Sequence, residues 1–176
     1  MDRLPLLWPL PSPGALHNAR EAMATLAGAV SDRLALTASL DSADHDEPGG
    51  LRALTIDECY QLLAEGAMGR LAYIARAGVP DIVPVNYALD DGDILIRSGP
   101  GPKLQAAERR DQIAFEVDAV DDGLHTGRSV VVIGRARRLH ASEQRHLAAA
   151  PGPWVSGPRH AVIRIRPTRV TGRRLS

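Results

Sequence analysis

The segment Ile96-Arg97-Ser98-Gly99-Pro100-Gly101-Pro102-Lys103-Leu104 holds the parts that a phosphate group requires. Arg97 offers a bidentate guanidinium fork, Ser98 a hydroxyl donor and Lys103 a point charge. A helix opening just after the glycine-proline loop would add oriented amide groups and the positive end of a dipole. Lys103 is also the only lysine in the chain, since the other basic residues are all arginine. A surface turn with stray charges accounts for the same residues, and their types alone leave the two readings open.

Pro84-Val85-Asn86-Tyr87 precedes this segment in the same predicted hairpin. Its backbone donors and acceptors and its flat side chains suit the polar edge and face of a heteroaromatic ring. The plainer reading is an edge strand that packs Val85 and Tyr87. Gly127-Arg128-Ser129 opens another predicted strand, where glycine permits close approach and Arg128 and Ser129 present polar groups. Unaided, these three residues read as a strand entry.

Other chemistry finds less support. Cys59 stands alone, which rules out an internal disulfide and a multi-cysteine zinc site. The histidines show no H-x-x-H or H-E-x-x-H spacing, so no metal site is expected. Cys59 falls on the apolar side of a predicted helix and reads as a small buried hydrophobe. His125 is loop-borne, with only Asp121 and Asp122 near it in sequence. No catalytic acid, base or nucleophile is nominated.

The elements that must hold these groups follow from periodicity. Thr55-Ile56-Asp57-Glu58 is a capping box that opens a helix ending at Gly66. Strands are predicted over 70–75, 81–89, 94–98, 112–117, 129–139 and 161–170, and helices over 103–110 and 141–150. Asp90-Asp91-Gly92-Asp93 is a hairpin turn. Pro84 marks an edge or a bulge. Val130-Val131-Val132-Ile133 reads as buried on both faces. Six strands joined by short connections, with a few helices outside them, predict a mostly antiparallel β-barrel. No G-x-G-x-x-G or Walker loop supports a nucleotide-binding parallel sheet.

The chain of 176 residues is long enough for one core. Residues 1–50 read as an N-terminal extension and linker, partly helical (His17–Leu36) or disordered. Residues 51–176 read as the folded domain. The extension carries three arginines and seven acids, a net −4, against +4 for the remainder. Six arginines and no acid follow Pro158. That end lacks interleaved aromatics and reads as a solvated strand face, so no nucleic-acid partner is expected. No apolar run is long enough for a membrane span. Asp2 and the early prolines spoil a signal peptide, so a cytoplasmic protein is expected.

Four stretches together resemble the pyridoxamine 5′-phosphate oxidase-like, FMN-binding split-barrel proteins, in the actinobacterial branch related to nitroimidazole-resistance proteins. They are Glu58-Cys59 through Gly69-Arg70-Leu71-Ala72; Pro84-Val85-Asn86-Tyr87; Ile96-Arg97-Ser98 with Lys103-Leu104; and Ala114-Phe115-Glu116-Val117-Asp118 followed by Ser129 to Ala136. The resemblance covers residues 51–176. It implies a six-stranded split β-barrel that forms a homodimer with flavin at the interface. Arg97, Ser98 and Lys103 would hold the FMN phosphate, and Pro84, Val85, Asn86 and Tyr87 would line the ring. Gly127-Arg128-Ser129 stands where many relatives have Gly-Trp-Ser, so Arg128 and Ser129 would face the ligand without an aromatic. Authentic pyridoxamine phosphate oxidases end in a tryptophan-rich substrate segment that Val162–Ser176 lacks, so vitamin B6 oxidation is not expected. The expected function is an FMN-dependent oxidoreductase that passes electrons from a reduced nicotinamide to a small acceptor such as a nitro compound or quinone. The alternatives are a non-catalytic flavin-binding or sensing protein, or a split barrel using deazaflavin or haem.

Overall fold

The computed structural model describes residues 50–145, 147 and 160–175. The predicted extension, up to residue 49, lies outside them. So does most of the helix predicted over 141–150 beyond its first turn.

Strand β1 (Leu51–Ala53) leads into helix α1 (Ile56–Glu65). The capping box forms as predicted. The Glu58 amide donates to the Thr55 hydroxyl at 3.3 Å, and the Thr55 amide donates to the Glu58 carboxylate at 2.8 Å. Arg52 adds an ion pair to Glu58 at 2.7 Å. The Glu58 carboxyl is thereby lowered from 4.5 to about 2, first by the bond from Arg52 and then by the Thr55 amide. A carboxyl depressed in the folded state stabilises the fold above its unfolded pKa, and that contribution fades as the acid form takes over. Between pH 4.5 and about 2, stability should therefore fall, and less steeply in Glu58→Gln. Acid titration of the urea midpoint checks this; identical slopes would show that the pair contributes nothing. The pair is partly exposed, so the effect is small.

Strands β2 (Met68–Ile74), β3 (Pro80–Asp90) and β4 (Asp93–Ser98) form a meander. Ala77 and Gly78 turn the first hairpin, and Asp91 and Gly92 the second, all with positive φ. That geometry matches strand twist and favours glycine. Helix α2 (Pro102–Glu108) follows, then the long strands β5 (Gln112–Asp121) and β6 (Thr126–Arg138). A single turn, α3 (Ala141–Gln144), precedes β7 (Ala161–Leu175).

The order β7-β4-β3-β2-β5-β6 closes where β6 meets β7, giving a six-stranded antiparallel barrel. One edge of β7 runs along β6. The other pairs with β4 through residues 161–165 and with β1 through residues 173–175. β1 is therefore a seventh strand beyond the six predicted.

Phe115 fills the centre at 0% exposure, edge-on to Tyr87 with centroids 4.9 Å apart. Ile94, Ile96, Val130, Val132, Ile163 and Ile165 belong to the same buried cluster. Cys59 is buried as expected, and burial pushes its thiol up to about 11.

The run from Val130 to Ile133 corrects the sequence reading. Val130 and Val132 are fully buried, but Val131 is 36% exposed. An antiparallel barrel wall has its core on one side only, so alternate residues face outward even in an all-apolar run.

Gly69 is required by packing. A Cβ there would lie 2.3 Å from the Phe115 ring and 2.7 Å from the Glu116 carbonyl oxygen. Gly69→Ala should cost about 1–3 kcal/mol, because the obstructing atoms belong to a buried ring and to backbone. Gly127→Ala, whose nearest contact would be 3.4 Å, serves as the control. Equal urea midpoints for the two variants would refute this account.

Candidate functional site

The site begins where two strands part. β3 and β4 pair only from Tyr87↔Ile96 to Asp90↔Asp93. Among the described residues, β3 upstream of Tyr87 pairs with β2 alone, through Asn86↔Met68, Val85↔Gly69 and Pro84↔Arg70. Beyond Ile96, β4 pairs among the described residues with β7 alone, through Arg97↔Val162 and Ser98↔Ala161. Pro84 has no amide proton to give a second neighbour, which suits it to this free edge. It causes no bulge, since its register with β2 is unbroken.

Strand alternation sorts the expected ligand residues onto two faces. Val85, Tyr87 and Ser98 are buried inside the barrel. Pro84 is exposed, and Asn86 and Arg97 are half-buried, on the outer side. The Ser98 hydroxyl donates to the Gly99 carbonyl at 2.7 Å. The Tyr87 hydroxyl donates to the Leu63 carbonyl, and burial raises its pKa. Asn86 donates through Nδ2 to the Ala67 carbonyl at 3.3 Å. Arg97 has no side-chain hydrogen bond or ion pair among the described residues. Lys103 lies half-buried in the first turn of α2, whose N-cap, Gly101, supplies no side-chain bond. The first amides of that helix therefore lack a capping side chain.

This donor set fits a phosphate. It consists of a half-buried guanidinium without a partner among the described residues, an ammonium at a helix start and uncapped amides. The outer opening beside Pro84 and Asn86 is where a flat ring could meet strand backbone. Two neighbours were not singled out from sequence. The register of β2 places exposed Met68 opposite Asn86 and exposed Arg70 opposite Pro84. Arg70 is held by ion pairs to Asp118 and to Glu116, the latter at 2.9 Å. Counting back from the Gly78 turn would have found both residues.

Arg128 and Ser129 are elsewhere. They pair with Arg174 and Arg173 near the end of β7, whereas Arg97 and Ser98 pair with its first residues. Val162 and Arg174 are separated by roughly 40 Å of extended strand. Arg128 also forms an ion pair with Glu65 at 2.9 Å. One chain does not bring the two groups together.

None of these residues lines a separate open cavity of about 580 Å³ beside the β2–β3 turn. Three of its charged groups are engaged, Arg109 with Asp111 at 2.6 Å and Glu108 with Arg138 at 2.8 Å, and Arg76 also lines it. Among the described residues no group of three or more His, Cys, Asp or Glu side chains could hold a metal ion. No described helix is long and apolar enough to cross a membrane.

Known proteins share this architecture. An uncharacterized protein of Mycobacterium tuberculosis, Rv0080, is 35% identical over 125 residues, 68% of this chain and 82% of that one. The crystal structure of a FAD-binding protein from Mesorhizobium loti superposes with a TM-score of 0.62 at 30% identity, covering 72% of this chain and 99% of that one. A FAD-binding protein from Mycobacterium smegmatis gives 0.53 at 28% identity, covering 72% and 99%. The family model described as pyridoxamine 5′-phosphate oxidase matches residues 55–174. With that match spanning the barrel from the capping box to the end of β7, the chain belongs to the pyridoxamine 5′-phosphate oxidase-like family of flavin-binding split barrels.

Proposed function

We propose that this chain is a cytoplasmic, FMN-dependent oxidoreductase, working as a homodimer, that passes electrons from a reduced nicotinamide to a small acceptor such as a nitro compound or quinone. The observation that carries the reading is Arg97, half-buried where β3 and β4 part, without a partner among the described residues, and followed by the uncapped start of α2. Family membership supports the flavin, and the redox chemistry would be the cofactor's when bound. The protein's residues bind and orient. Arg97 and Lys103 neutralise the phosphate, while the free edge at Pro84–Asn86 supplies backbone donors and acceptors to the ring. Two copies can place Arg128 and Ser129 of one beside Arg97 of the other, which one chain cannot do. Relatives described as FAD-binding make FAD the second ligand to test.

Visible absorbance of the purified protein, with mass analysis of what heat releases, tests the cofactor. Flavin bands and a released mass of FMN are expected. A colourless protein that refuses both FMN and FAD, or a Soret band, would sink the proposal. Turnover of a reduced nicotinamide with a nitro compound or quinone then tests the reaction.

A further inference from the structure

The open cavity beside the β2–β3 turn has two walls. The end of β2 and its turn form one, and the end of α2 with Asp111 forms the other. Hydrogen bonds fix both. In the turn, the Ala75 amide donates to the Val79 carbonyl at 2.8 Å, and the Gly78 amide to the Ala75 carbonyl at 3.3 Å. After α2, the Arg110 and Asp111 amides donate back to the Ala107 and Ala106 carbonyls at 3.1 and 3.0 Å. This closure occupies helix-end carbonyls that would otherwise repel an anion. Arg109 joins the walls, donating through Nη2 to the Ile74 carbonyl at 3.1 Å. At about 580 Å³ the space has the size of a small-molecule site.

The charges on these walls do not cancel. Asp111 accepts from both Nε and Nη2 of Arg109, at 3.0 and 2.6 Å, so that pair is neutral. Glu108 is neutralised at 2.8 Å by Arg138, which does not itself line the cavity. Arg76 is left over. It stands exposed in the turn, with no ion pair or side-chain hydrogen bond among the described residues. Its planar fork can hold one carboxylate by two parallel bonds.

Two further features narrow the ligand. The half-buried Gln105 carboxamide also has no side-chain hydrogen bond among the described residues, so it can donate to the same anion. Ile74, 46% exposed, lines the cavity with Ala75 and Ala77 and gives an apolar surface next to the fork. A single uncompensated cation beside apolar surface selects a monoanion with an apolar body. A phosphate dianion would call for a second free cation.

We propose that the cavity between the β2–β3 turn and the end of α2 binds a small monocarboxylate with an apolar body. Arg76 and Gln105 take the carboxylate, and Ile74 and Ala77 take the apolar part. Neither Arg97 nor Lys103 lines this cavity, so the site stands whether or not flavin binds beside them.

The test is titration of the purified full chain with benzoate, followed by calorimetry and by amide NMR shifts. Benzoate should bind with a Kd of about 1 mM or tighter and move the amide signals of Ala77 and Gln105. Benzamide, uncharged and of nearly the same shape, should bind roughly tenfold more weakly or worse. Arg76→Gln should weaken benzoate by roughly tenfold or more, the loss of one charge-assisted contact. Arg97→Ala/Lys103→Ala should leave benzoate binding unchanged. Failure to bind benzoate in the millimolar range would overturn the site, as would equal binding of benzamide or equal binding by Arg76→Gln. Loss of benzoate binding in Arg97→Ala/Lys103→Ala, or its displacement by FMN, would put the acid in the phosphate pocket and overturn it too.

Discussion

Phe115→Ala should lower stability by about 3–5 kcal/mol at fixed protein concentration, the largest effect of any single truncation in the barrel. Phe115 is the only phenylalanine in the chain, fully buried, and its edge meets the Tyr87 ring. With so few aromatics, nothing nearby can swing in to fill the space. The change also removes the ring that forbids a side chain at Gly69. The double variant Phe115→Ala/Gly69→Ala should therefore be more stable than the sum of the single losses predicts. The relief is partial, because the Glu116 carbonyl would still stand 2.7 Å from the new Cβ. Urea unfolding of the four proteins in a mutant cycle measures the coupling. Strict additivity would show that the ring does not set the approach of β2 to β5.

Arg97→Ala and Lys103→Ala should each weaken FMN binding by about 1–3 kcal/mol, the loss of one charge-assisted contact, or roughly 5- to 150-fold. The test rests on the proposed flavin site and separates phosphate from ring. Riboflavin lacks the phosphate, so its weaker binding should change little in either variant. Fluorescence titration with both ligands gives the answer. If FMN affinity is unchanged in Arg97→Ala/Lys103→Ala, the phosphate lies elsewhere. If riboflavin weakens as much as FMN, the substitutions have disturbed the pocket rather than removed a phosphate contact.

Local chemistry made much of the barrel legible. The Thr55–Glu58 capping box and the Asp91-Gly92 turn each specify one short geometry, and both form as read. Period-two alternation found six strands. What escaped was whatever depends on pairing. The sequence reading ends the last strand at Val170. Yet β7 continues to Leu175, because its partners β6 and β1 extend that far. Likewise, β5 runs on to Asp121 because it faces the start of β6. The Val130–Ile133 run looked doubly buried because composition carries no sign of which face is covered. The site shows the same division. The types of Arg97, Ser98 and Lys103 suggested a phosphate, but adjacent strand residues face opposite ways, so Ser98 turns inward while Arg97 turns out. The distance of Arg128 from Arg97 is a property of strand order, which no local pattern states.

β7 sets the order in which such a barrel can assemble. The hairpins β2–β3, β3–β4 and β5–β6 each join neighbours in sequence and can form early, with little loop entropy to overcome. The seam joining β4 to β6 is β7, and its partner β1 lies more than a hundred residues away along the chain. Closure therefore waits on the most distant contacts, which makes for a slow final step. Until the last strand docks, two sheet edges stand open, able to recruit another copy of the same strand.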